Sequence, residues 1–126
     1  MPNTVHAANE TESESIIFGA GATVYPWWVS AESDWEYDSI SADAPAGWMW
    51  RVTIKAPYED GDIITKEIRH KDLMAACRKI SGKDFQASST LKKHCRNMAF
   101  NVDDVDMDAS DADAVLQVAM LGDILW

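Results

Sequence analysis

The sequence predicts an α+β fold: an antiparallel sheet of three or four strands, then two or three helices packed on one of its faces. Three observations carry that expectation. Trp48, Trp50, Val52 and Ile54 alternate with Met49, Arg51, Thr53 and Lys55, which is the period of a half-buried strand. The stretch Tyr58-Glu59-Asp60-Gly61-Asp62 follows, and its Asp-Gly pair supplies the positive φ of a hairpin turn. Beyond His70 the apolar spacing changes to that of a helix. Strands first and helices afterwards argue for segregated layers.

Residues 1–14 are polar and acidic and read as a flexible tail, leaving 15–126 as one domain. A first strand is expected near Val24–Ser30, with a shorter one at Ile16–Phe18; Pro26 argues for an edge or a bulge there. Residues 31–46 are turn-rich and read as a loop. The strand at Trp48–Ala56 stops at Pro57, and Ile63–Arg69 returns beside it. Lys66, between Ile64 and Ile68, fits a sheet edge or a snorkelling position.

Leu73, Ala76, Cys77 and Ile80 then mark a helix with Asp72 in its first turn and Gly82 as its stop. A second helix runs from about Thr90 to Phe100, capped by Ser89 or Thr90. Leu91, Cys95 and Met98 face inward; Lys92, Lys93 and Arg96 face outward. A third begins near Ser110, where Ser110 and Asp113 resemble a capping box, and ends at Gly122. Ile124-Leu125-Trp126 fit a short strand or a docked end.

Charge narrows the function. The net charge is −10, which opposes generic binding to nucleic acid or anionic membrane and favours basic partners. No apolar run is long enough for a membrane span, and the N-terminus lacks the basic and apolar regions of a signal peptide. Cys77 and Cys95 fall on apolar helix sides and read as buried free thiols. Together these features point to a reducing cytoplasm.

The charge is also segregated. Residues 1–62 hold two basic and eleven acidic side chains, 63–100 nine and three, and 101–126 none and seven. Either the acidic loops lie on the basic helices, or the surface is bipolar and docks a partner.

No nucleophile elbow, P-loop or dinucleotide fingerprint is present, and no catalytic constellation is visible. His70, His94, Cys77 and Cys95 match no zinc spacing, and no cofactor is implied. Arg78, Lys79, Lys83, Lys92, Lys93 and Arg96 suggest nucleic acid. Against that, the two helices are joined by too long a connection for a helix-turn-helix.

The densest motif is the aspartate run at 103, 104, 106, 108, 111 and 113. Asp104, Asp106 and Asp108 occupy positions 1, 3 and 5 of an EF-hand-like loop, but Ala109 and Val115 stand where it needs Gly and a bidentate Glu. The same carboxylates, with those of 32–43 and 59–62, would suit a mimic of nucleic-acid phosphates if they formed one strip. Trp27, Trp28, Trp35, Trp48 and Trp50 are more than one small sheet face needs; the alternation puts Trp48 and Trp50 in the core, and Trp27, Trp28 and Trp35 are candidates for a protein interface, together with Asp103, Asp104, Asp106 and Asp108.

The C-terminal segment, an Asp-rich run followed by Asp113-Ala114-Val115-Leu116-Gln117-Val118-Ala119 and then Gly122-Asp123-Ile124, resembles small uncharacterised acidic proteins of actinobacterial tailed phages. The Trp27-Trp28 pair and a polar hairpin before a helix opening with Asp72 agree with that resemblance. The close on Leu125-Trp126 departs from it. The resemblance implies an origin and no mechanism. The expectation is a non-enzymatic phage accessory protein acting in the host cytoplasm by binding a host or phage protein. The alternatives are a DNA-mimic inhibitor of a host defence or DNA-binding protein, and an Asp-loop metal-binding regulator.

Overall fold

A computed structural model describes residues 6–35, 44–56 and 61–125. Three antiparallel strands, β1 (Trp28–Ser33), β2 (Trp50–Lys55) and β3 (Ile63–Ile68), form a meander in that order, with β2 central. Four helices accompany them: α1 (Glu10–Ile17), α2 (His70–Ser81), α3 (Ser89–Phe100) and α4 (Ala109–Leu121). The α+β class is the expected one. A helix precedes the sheet, however, so the order is not strands then helices.

The sheet has one dry and one wet face. Trp28 pairs with Ile54, Trp50 with Ile68 and Ile54 with Ile64, and these side chains meet the helices in the core. On the outer face Arg51 opposes Glu67 and Thr53 opposes Thr65, whose hydroxyls lie 2.8 Å apart. Lys66 opposes Val52 on the inner side yet is exposed, because β3 is an edge strand. On the other edge, β1 carries a bulge between Trp28 and Ser30.

α2 and α3 form an antiparallel pair. Asp72 accepts the Arg69 amide at 2.9 Å at the start of α2, and the Ser88 hydroxyl accepts the Leu91 amide at the start of α3. Ser88 is thus the cap, one residue ahead of the expected Ser89 or Thr90. Lys92 curls back over α2, donating to the carbonyls of Ile80 (3.0 Å) and Gly82 (2.5 Å). It faces the end of α2 rather than open solvent, where a cation complements the helix dipole.

α4 is the central helix, with Ala112 to Val118 and Met120 buried. Its cap is Asp108, which accepts the Asp111 amide at 2.8 Å; the expected Ser110–Asp113 box is not formed, because Asp113 is turned into the core. Gly122 ends α4 in the left-handed region at φ 82°, and Lys79 donates to its carbonyl at 2.5 Å.

The expected tail at 1–14 is corrected over its described part; residues 1–5 lie outside the described residues. Residues 10–14 belong to α1, where Asn9 and Glu12 form a reciprocal capping box. Ser13 and Glu14 are buried, and Ala8 donates its amide to the Met98 carbonyl at 2.7 Å. The expected strand at Ile16–Phe18 is the end of the same helix. Phe18 stacks on Trp50, ring centroids 4.3 Å apart, and Trp48 donates its indole N–H to the Glu10 carbonyl at 2.5 Å. Val24 belongs to a 3-10 turn, so β1 starts four residues later than expected. Ile124 packs against the core without forming a strand, and Trp126 lies outside the described residues.

Candidate binding surface

Among the candidate residues, the tryptophans point inward. Trp28 is buried and donates its indole N–H to Asp113 Oδ1 at 2.6 Å; Trp27 donates to the same oxygen at 2.8 Å and stacks on Tyr25. Gln117 donates to Asp113 Oδ2 at 2.7 Å, and its own carbonyl accepts the Leu125 amide at 2.9 Å. One carboxylate therefore fastens the start of β1 to α4, and Gln117 extends the network to the chain segment after α4. Trp35 is half-buried and packs against the core. The expectation of an interface is corrected for Trp28, which is buried; Trp27 and Trp35 are half-buried, and Asp113 supplies the partner that the indoles of Trp27 and Trp28 need.

The aspartates do lie at the surface. Asp103, Asp104, Asp106 and Asp108 are exposed, on the 3-10 turn Val102–Asp104 and the loop after it. They do not converge: among the described residues no group of three or more His, Cys, Asp or Glu side chains is placed to hold a metal ion. Asp104 accepts from the Asn101 amide group at 2.8 Å, Asp108 caps α4, and the Asp106 amide reaches His94 Nδ1 at 3.3 Å. The metal-site candidacy of Asp104, Asp106 and Asp108 is thereby corrected. Burial, and then the neighbouring charge of Asp108, push the Asp111 carboxyl above its ordinary value. Asp113, being buried, drops out of any phosphate-mimicking strip; residues 36–43 and 59–60 of that strip lie outside the described residues.

The histidines are apart. His94 touches the acidic loop, whereas His70 Nδ1 lies 2.7 Å from Ser13 Oγ, between α2 and α1. The Ser13 hydroxyl also donates to the Glu10 carbonyl at 3.1 Å and has no exposed surface. A serine so enclosed gives a substrate no line of approach; the pair fastens two helices. The hollow beside it, about 450 Å³, is lined by Asn9, Glu10, Thr11, Ala46 and His70.

The ion pairs among the described residues include His6–Glu12, Arg51–Glu67 and Arg69–Glu67, none of which joins a lysine or arginine of α2 or α3 to the acidic segments. Lys79 and Lys92 serve helix ends. Lys93 and Arg96 remain on the outer row of α3, and four residues after Arg96 stands Phe100, 68 % exposed. The aspartates at 103, 104 and 106 follow it directly. One helix edge therefore carries two cations, an uncovered aromatic ring and an acidic loop in succession. Phe100 escaped the sequence reading, although its spacing from Lys93 and Arg96 already put it off the inner row of Leu91, Cys95 and Met98.

No helix among the described residues is long and apolar enough to cross a membrane. Comparison of the chain with protein-family models, with curated proteins and with solved structures finds no match in any of the three.

Proposed function

We propose that this chain is a non-enzymatic accessory protein of a tailed phage that acts in the host cytoplasm by gripping a host or phage protein along the outer edge of α3 and the acidic loop after it. The observation that carries this reading is Phe100: a large ring left 68 % exposed between Lys93 and Arg96 on one side and Asp103 and Asp104 on the other. Aromatic rings with charged neighbours are the usual anchors of protein interfaces, with the charges fixing orientation and encounter rate. Surface charges alone contribute little, about 0–1 kcal/mol per pair, so the ring supplies affinity and the flanking charges supply register. The phage origin rests on the resemblance of residues 103–124.

A photoreactive amino acid placed at position 100 tests this in the host cell. The control is the same group at Val24, which is 72 % exposed and has no charged residue within three positions. The expected outcome is one protein cross-linked reproducibly from position 100, not from 24, and lost in K93E/R96E. Equal labelling from both positions, or labelling indifferent to the charge reversal, refutes the reading.

A further inference from the structure

Cys77 and Cys95 take no part in the α3 surface, yet they meet. Cys77 is the middle member of the inner row Leu73, Cys77, Ile80 of α2, and Cys95 that of the row Leu91, Cys95, Met98 of α3. The two helices run antiparallel, as Lys92 near the start of α3 reaching the end of α2 requires. Cys77 lies eight residues before Phe85 and Cys95 ten after it, so the two rows bring the cysteines opposite one another. Both are free and buried, and the neighbouring Cys95 thiol is the first cause that raises the Cys77 value.

We propose that Cys77 and Cys95 form a dithiol site that a hydroperoxide converts to an intrachain disulfide, stapling α2 to α3. The chemistry balances. One sulfur, as thiolate, attacks a peroxide oxygen; the O–O bond breaks, leaving a sulfenic acid and, after protonation, water. The second sulfur attacks the sulfenic sulfur; the S–S bond forms, the S–O bond breaks, and hydroxide leaves with the second thiol's proton as water. Two thiols give up two electrons and two protons, and one hydrogen peroxide becomes two waters.

Access governs the rate. The neighbouring Cys95 thiol, and then burial, hold the Cys77 thiol well above its ordinary value, so little thiolate exists while the helices are closed. The reaction therefore proceeds through openings of α3 away from α2, and the bond then fixes the closed pairing. A crosslink around a loop of this size lowers the unfolding equilibrium by about a hundredfold.

The test uses the full reduced chain treated with hydrogen peroxide in urea just below its unfolding transition, where α2 and α3 separate transiently. After alkylation and trypsin digestion, mass spectrometry should find peptides 72–78 and 94–96 joined, lighter than the two together by two hydrogen atoms. The protein should remain a monomer on a non-reducing gel, and its urea midpoint should rise until a dithiol reductant is added. C77A and C95A each remove the link. Cysteines that stay alkylatable, that over-oxidise singly, or that join only different chains overturn the proposal.

Discussion

Replacing Asp113 by alanine removes the acceptor of three donors at once. The carboxylate is buried at 6 % exposure and receives the indole N–H groups of Trp27 and Trp28 and the Gln117 amide at 2.6–2.8 Å. Leaving a buried donor without a partner costs about 1–3 kcal/mol each. Partial relaxation and entry of water at the half-buried Trp27 reduce the total, so D113A is expected to lose about 3–5 kcal/mol. That lies near the upper end for single substitutions and is a large share of a stability of about 5–15 kcal/mol. D113N keeps one acceptor oxygen for the indoles but turns an amide N–H₂ toward that of Gln117, whose carbonyl is already committed to Leu125; about 1–3 kcal/mol is expected. Urea unfolding followed by tryptophan fluorescence and circular dichroism gives the values. The midpoint of D113A should fall by about 2 M with the slope unchanged. W28F and W50F provide an internal comparison: the buried Trp50 indole N–H has no hydrogen-bond partner among the described residues, so its loss should cost less than that of Trp28. In a double-mutant cycle, D113A and W28F should couple by about 1–3 kcal/mol. A D113A variant within about 1 kcal/mol of the parent, or additive with W28F, would refute the idea that this carboxylate joins β1 to α4.

Other outcomes follow from the same structure. K92M removes the cation that closes the end of α2 and should lower stability by about 1 kcal/mol in chemical denaturation, an effect that salt weakens. G122A forces a side chain into the left-handed region at φ 82° and should cost about 1 kcal/mol by thermal unfolding. The Asp111 carboxyl has a raised value in the folded chain, so the native state binds its proton more tightly than the unfolded state does. Stability from that proton is present at low pH and is lost as pH rises through the folded value; D111N should therefore raise the melting temperature at neutral pH and leave it nearly unchanged under acid conditions. Cys77 behaves in the same sense at alkaline pH: its raised thiol should make the chain lose stability above the ordinary thiol value, about 8.5, and C77A should flatten that limb of a stability–pH curve.

Local periodicity made β2, β3, α2 and α3 legible, because their buried rows are written in neighbouring residues. α1 was not, since its window of Glu, Thr and Ser has almost no apolar row; Ile17 alone is a buried hydrophobe in it. It is held by the Asn9–Glu12 box, which the spacing Asn-x-x-Glu did announce, and by Ser13 meeting His70 across 57 positions, which nothing local announces. The tryptophan pair misled for the same reason. Adjacent strand residues are expected on opposite faces, but Trp27 precedes β1 and both indoles turn to one oxygen of a residue more than 80 positions away. Asp113 looked like a member of an acidic surface run because six aspartates share that stretch. Helical phase, with Asp108 as the cap, separates it from the rest.

Both described margins of the sheet discourage a visiting strand. Lys66 places an ammonium group on the inner side of one margin, where a stacked neighbour would have to bury it, and the irregularity at Trp28–Ser30 spoils the hydrogen-bond ladder along the other. Recognition by main-chain annealing, and runaway sheet-to-sheet stacking with it, is disfavoured at both ends. An extended peptide therefore meets, at each described edge, either a charge to bury or an irregular strand.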